Sequence, residues 1–142
     1  MAGDVSVLID INILLDVLQK RLPFYETSAN LLAAAETGRI YGFVAAHSLP
    51  TLFYLIKKDK GTAEAKSAIT NLLQILKISP VDQTTIEQAL NLDYEDFEDA
   101  LQMMCAVQGK MACLITRNVK DFQPALLPVM QPVDFLAGLK AP

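Results

Sequence analysis

The stretch V-S-V-L-I-D-I-N-I-L-L-D-V-L, residues 5–18, decides the fold. Val5–Ile9 is a short apolar run rich in β-branched side chains and ends at Asp10, the pattern of a strand buried in a sheet. From Asn12 the period changes. Ile13, Leu14, Val17 and Leu18 recur at the three- and four-residue spacing of a helix that extends to Lys20. A buried strand that passes directly into a helix opens an α/β unit, and it leaves Asp10 at the strand's carboxyl end. Asp10 is also placed where a side chain can cap the helix that follows.

The rest of the chain repeats the alternation. Thr27–Thr37 predicts a helix stopped by Gly38, with Pro23 marking the break before it. Ile40–Ala46 reads as a second buried strand. Ser48 opens a helix through Lys58, with Pro50 tolerated in its first turn. Thr62–Leu76 is a further helix, and Leu76–Ser79 a short strand ended by Pro80. Thr84–Leu92 and Phe97–Gln108 are helices, Ala112–Thr116 a fourth strand, Leu127–Met130 a fifth, and Pro132–Leu139 a closing helix. Apolar strands alternating with helices specify an α/β fold: a three-layer α/β/α sandwich around a mostly parallel sheet of four to five strands. With neither repeat nor linker, residues 1–142 are expected to form a single domain.

Of the 142 residues 52% are hydrophobic and 20% charged, ample for a core and incompatible with disorder. No apolar run reaches the ~18 residues that would cross a bilayer. The longest, Val5–Leu18, is interrupted by Asp10, Asn12 and Asp16 and lacks the flanks of a secretory signal. A cytoplasmic protein with no membrane association is expected, and the apolar surplus points to a homodimer. Cys105 and Cys113 are too few for a disulfide framework and are expected as buried thiols. A single histidine, His47, leaves no material for a histidine triad or a zinc site and reads as a structural residue at the end of strand two.

The net charge of −4 is concentrated: Asp93, Glu95, Asp96, Glu98 and Asp99 lie within seven positions, and the other eleven acids face twelve bases. Parallel sheets bind ligands beyond the carboxyl ends of their strands. Three acids fall there: Asp10 after strand one, Asp121 in the loop after Ala112–Thr116, and Asp99 early in the preceding helix, with Asp96 on its face at i, i+3 spacing. Gathered carboxylates need a counter-charge, and hard divalent cations such as Mg²⁺ or Mn²⁺ prefer such oxygen ligands. Arg117 and Lys120 flank Asp121 and, with Arg21, are candidates to meet the phosphates of a nucleic acid. Asp16 is expected at solvent or in a salt bridge, and Asp93, Glu95 and Glu98 as solvated acids at a helix start. The run Lys57-Lys58-Asp59-Lys60 reads as a solvated helix end.

The segments Val7–Leu18, A-A-H-S-L-P-T-L-F-Y-L-I (Ala45–Ile56), D-F-E-D-A-L-Q (Asp96–Gln102) and I-T-R-N-V-K-D-F (Ile115–Phe122) together resemble a PIN domain of the bacterial VapC-like branch. The resemblance runs from Val5 to about Leu136, and its most specific parts are the opening D-x-N and the closing T-R-N-x-x-D-F. It implies a Mg²⁺- or Mn²⁺-dependent ribonuclease acting on RNA, the toxin of a toxin–antitoxin pair with an antitoxin protein as partner. Asp10, Asp99 and Asp121 carry over as catalytic metal-binding acids, and Asn12, Thr116 and Asn118 as supporting polar groups. Where the family commonly has a second acid, usually Glu, this chain has Thr51, and Asp96 is the residue placed to serve as an extra ligand. The same departure motivates an alternative, a catalytically degenerate module that binds RNA or a protein without cutting. A haloacid-dehalogenase-like phosphatase needs a second Asp where Asn12 stands, and a receiver domain needs paired acids that are missing.

Overall fold

The computed structural model describes residues 5–139. Five strands form one sheet: β1 (Ser6–Ile9), β2 (Tyr41–Ala45), β3 (Lys77–Ser79), β4 (Cys113–Ile115) and β5 (Val129–Met130), in the order β3-β2-β1-β4-β5. Every pairing is parallel, with Val7 beside Gly42 on one side and Cys113 on the other. The expected three-layer architecture is present, and its sheet is parallel throughout.

Among the described residues six α-helices connect the strands and a seventh follows the last one: α1 (Ile11–Leu18), α2 (Tyr25–Glu36), α3 (Ser48–Lys60), α4 (Thr62–Leu72), α5 (Gln83–Leu90), α6 (Phe97–Gln108) and then α7 (Pro132–Gly138). The uniformly apolar strands have a direct cause, since successive residues point into different cores. Val7, Ile9, Val44, Cys113 and Ile115 pack with residues of α1, α2, α3, α4 and α7. Leu8, Ala45 and Leu114 pack on the other face against Met103, Cys105 and Ala106 of α6. Helix α5 lies outside, joined to α6 through Ala89, Ala100, Leu101 and Met104. Both cysteines are free and buried, as expected.

Gly61 separates α3 from α4 with φ of 92°, a left-handed conformation that favours glycine. Helix α4 stops four residues before the expected Leu76, because the chain tightens through turns at Gln74 and Ile75 to enter β3. Among the described residues no helix is long and apolar enough to cross a membrane.

Strand order fixes where a site can form. The chain travels outward from β1 to β2 and β3, then returns to β4 on the other side of β1. At such a reversal the loops beyond neighbouring strand ends diverge and leave a crevice. Asp10 directly follows β1 and Thr116 directly follows β4, so both stand at its mouth.

Candidate active site

Asp10 occupies the position before α1 with extended backbone, yet its carboxylate makes no capping hydrogen bond. It is turned inward and 3% exposed. Gln102 Nε2 donates to its Oδ1 at 3.1 Å, and Thr116 Oγ1 donates to its Oδ2 at 2.9 Å. Burial pushes the Asp10 pKa above the usual carboxylate range, against the pull of hydrogen bonds from Gln102, Thr116 and Asn12. Thr116 thus touches Asp10 directly. Thr116 does more, because its Oγ1 also accepts from the Asn118 backbone N–H at 3.1 Å and so pins the loop after β4.

That loop turns through a short 3₁₀ segment, Val119–Asp121, with the Asp121 N–H donating to the Asn118 carbonyl at 3.0 Å. Asp121 and Lys120 come to line a cavity of about 380 Å³ together with Asp93, Tyr94, Glu95, Asp96, Asp99 and Gln123. Burial first, then the charges of Asp96, Asp10, Asp121 and Glu98, push the Asp99 pKa up to about 7. Asp99 thus feels the charges of both Asp10 and Asp121, and it lines the cavity together with Asp121.

Asp96 is the N-cap of α6, its Oδ1 accepting from the Asp99 N–H at 3.0 Å. It lines the same cavity, so the helix start that places Asp99 also carries a further carboxylate to the site. Tyr94 closes one side, its hydroxyl donating to the Pro124 carbonyl at 2.7 Å. His47 Nε2 donates to the Glu98 carbonyl at 3.0 Å, tying the start of α3 to the first turn of α6. Burial lowers its pKa, which favours the neutral ring. Thr51 lies in the first turns of α3, half-buried, and among the described residues makes no side-chain hydrogen bond to the acids.

Two expected phosphate contacts are redirected. Arg117 leaves the cavity and pairs with Asp16: its Nη2 donates to Oδ1 at 3.1 Å, and Nε lies 2.8 Å from Oδ2 with its N–H off the line. Its guanidinium carbon lies 3.9 Å from the centre of the Phe24 ring. Asp16 is fully buried and also accepts from Ser28 Oγ at 3.2 Å, so of the two environments expected for it the ion pair is correct and solvent is not. Arg21 donates to Gln19 and lies in a separate depression with Leu55, Lys58 and Asp59. Among the described residues that line the acidic cavity, Lys120 is the cation. The sequence reading missed Gln102, although its i, i+3 spacing from Asp99 placed it on the same helical face.

The donor set is all oxygen, carboxylates with a hydroxyl beside them, which is the chemistry that suits Mg²⁺ or Mn²⁺ and disfavours softer metals. Among the described residues no three acid, His or Cys side chains enclose a point tightly enough to hold an ion as they stand. The donors fit a hard cation in kind.

Residues 6–120 match the model of the PIN domain family. The chain is 26% identical over 137 residues to Ribonuclease VapC1 of Aquifex aeolicus (strain VF5), covering 92% of each. Its fold resembles that of a toxin–antitoxin complex from Klebsiella pneumoniae, with a TM-score of 0.68, 24% identity, and coverage of 89% of this chain and 98% of that one. It also resembles VapC20 of Mycobacterium tuberculosis, a toxin described as cleaving the sarcin-ricin loop, with a TM-score of 0.63, 17% identity, and coverage of 77% and 87%. A match from residue 6 to residue 120, which takes in β1 to β4, is decisive: the chain belongs to the PIN domain family.

Proposed function

We propose that this protein is a divalent-metal-dependent endoribonuclease that hydrolyses RNA phosphodiesters, and that it is the toxin of a toxin–antitoxin pair. The observation that supports this reading is the acidic cavity wall at Asp99, where burial first, and then the charges of Asp96, Asp10 and Asp121, push the Asp99 pKa up to about 7. The similarity to a ribonuclease over 92% of the chain supports RNA as substrate. The fold shared with a toxin–antitoxin complex supports an antitoxin as partner.

Asp10, Asp99 and Asp121 would hold Mg²⁺ or Mn²⁺, with Asp96 as a further carboxylate in place of the acid that Thr51 replaces. When bound, such a cation supplies water activation and offsets the charge that develops on a phosphoryl group. The protein's own residues prepare the ground. Thr116 and Gln102 hold Asp10 by both oxygens, so the carboxylate is oriented before any ligand arrives. The Asp96 cap fixes the first turn of α6 and with it Asp99. Lys120 at the rim offsets the repulsion between a polyanionic strand and an anionic cavity.

Cleavage of a structured RNA by wild type and Asp10→Asn in Mn²⁺ tests the assignment. Wild type is expected to cut and the variant to lose about 100-fold or more in kcat, the scale of losing a group that stabilises charge in the transition state. Equal cleavage by both rejects it. Binding of Mn²⁺ and RNA with no cutting by wild type favours the non-cleaving module instead.

A further inference from the structure

Gln102 lies one turn beyond Asp99 on α6 and is 2% exposed. Few uncharged polar side chains are buried so deeply without a structural network, yet among the described residues its side chain makes one hydrogen bond, to Asp10: Nε2 donates to Oδ1 at 3.1 Å. The other half of the amide, Oε1, is buried and has no hydrogen-bond partner among the described residues. A buried acceptor left without a donor costs about 1–3 kcal/mol, and such groups persist where water or a ligand completes them. Turning the amide over does not relieve it. A carbonyl oxygen would then face the Asp10 carboxylate, and the NH₂ would be stranded instead. Since Nε2 and Oε1 share one planar carbon, the stranded oxygen stays beside Asp10.

We propose that Gln102 is the positioning residue of the cation site: Nε2 fixes the Asp10 carboxylate, and Oε1 accepts a hydrogen bond from the hydration shell of a divalent cation. The inference rests on the metal-dependent reading above and adds a residue to it. Mg²⁺ sheds its waters reluctantly and Mn²⁺ shares its preference for oxygen, so a cation arriving here brings O–H donors with it. An amide is suited to the task because it orients an acid without adding charge to a site where the acids already repel.

Calorimetric titration of Mn²⁺ into the metal-free protein tests this, alongside melting temperature and RNA cleavage. Gln102→Met keeps the length and apolar body of the side chain and removes both donor and acceptor. Its Kd for Mn²⁺ is expected to rise about 10–100-fold, the usual effect of losing a group that orients a metal ligand. Its kcat should fall with little change in KM for RNA, and its metal-free melting temperature should stay near that of wild type. Gln102→Glu, similar in size and still polar, places another anion beside Asp10. Its metal-free form should melt below wild type, and Mn²⁺ should raise its melting temperature by more. If Gln102→Met does not fold, Gln102→Glu decides. Wild-type Mn²⁺ affinity in Gln102→Met, or a wild-type Mn²⁺ shift in Gln102→Glu, makes Gln102 a packing residue and overturns the inference. No Mn²⁺ binding by wild type overturns the metal-dependent reading itself, and the inference with it.

Discussion

At Asp99, burial and the charges of Asp96, Asp10 and Asp121 act in one direction, so the carboxyl that ionises near 4 in an unfolded chain holds its proton to about 7 in the folded one. The sign of the consequence is definite. Between those values the folded state binds a proton that the unfolded state has lost, so the stability Asp99 contributes is complete below about 4 and is lost as pH rises through 7. The metal-free protein should therefore melt progressively lower from pH 5 to pH 8, and Asp99→Asn should flatten part of that fall. A slope unchanged by the substitution contradicts the assignment. Cation binding requires the ionised form and runs the other way, so Mn²⁺ should bind more tightly at pH 8 than at pH 6. Lys120 allows a separate test. Lys120→Gln should weaken RNA binding and reduce its dependence on log salt by about 1, whereas Arg21→Gln should leave that slope alone. An equal effect of the two would place the RNA path elsewhere. Among single residues, the places of Asp10 and Thr116 were legible because each directly follows a strand of a parallel sheet, and Asp121 comes in the loop after β4. Gln102 was not, since a glutamine on a helix reads as surface until its burial is known.

At the level of elements, the Asp16–Arg117 pair joins α1 to the loop after β4, with Ser28 of α2 as a third member. Removing one partner of a buried pair leaves an uncompensated charge and typically costs about 3–5 kcal/mol. Arg117→Met is expected to destabilise by about 3 kcal/mol, and the double variant Asp16→Leu with Arg117→Met to recover part of that loss. Chemical denaturation measures both, and a single variant as stable as wild type would show that the pair carries no such weight. The pair itself was not legible in the sequence. Arg117 follows a strand and flanks Asp121, so its charge looks available for a substrate, but its partner lies 101 residues earlier and no local pattern links them. Helix and strand identities were legible throughout, since apolar periodicity reflects which faces are covered. Boundaries were less so. The apolar sequence Leu72-Leu73-Gln74-Ile75-Leu76 continues a helical pattern past the point where the chain turns to enter β3.

For the whole molecule, the parallel sheet reverses at β1, and the proposed site draws on acids from positions 10, 99 and 121, of which Asp99 feels the charges of the other two besides its burial. Anything that binds the folded state alone must then stabilise it. Melting of metal-free wild type and Asp99→Asn at pH 8, with and without Mn²⁺ at about 100 times its Kd, tests this most directly. The expected gain for wild type is about 2.7 kcal/mol, seen as an upward shift of several degrees that is largely absent in Asp99→Asn. No shift in wild type, or the same shift in both proteins, would contradict the claim that these carboxylates converge to bind a divalent cation.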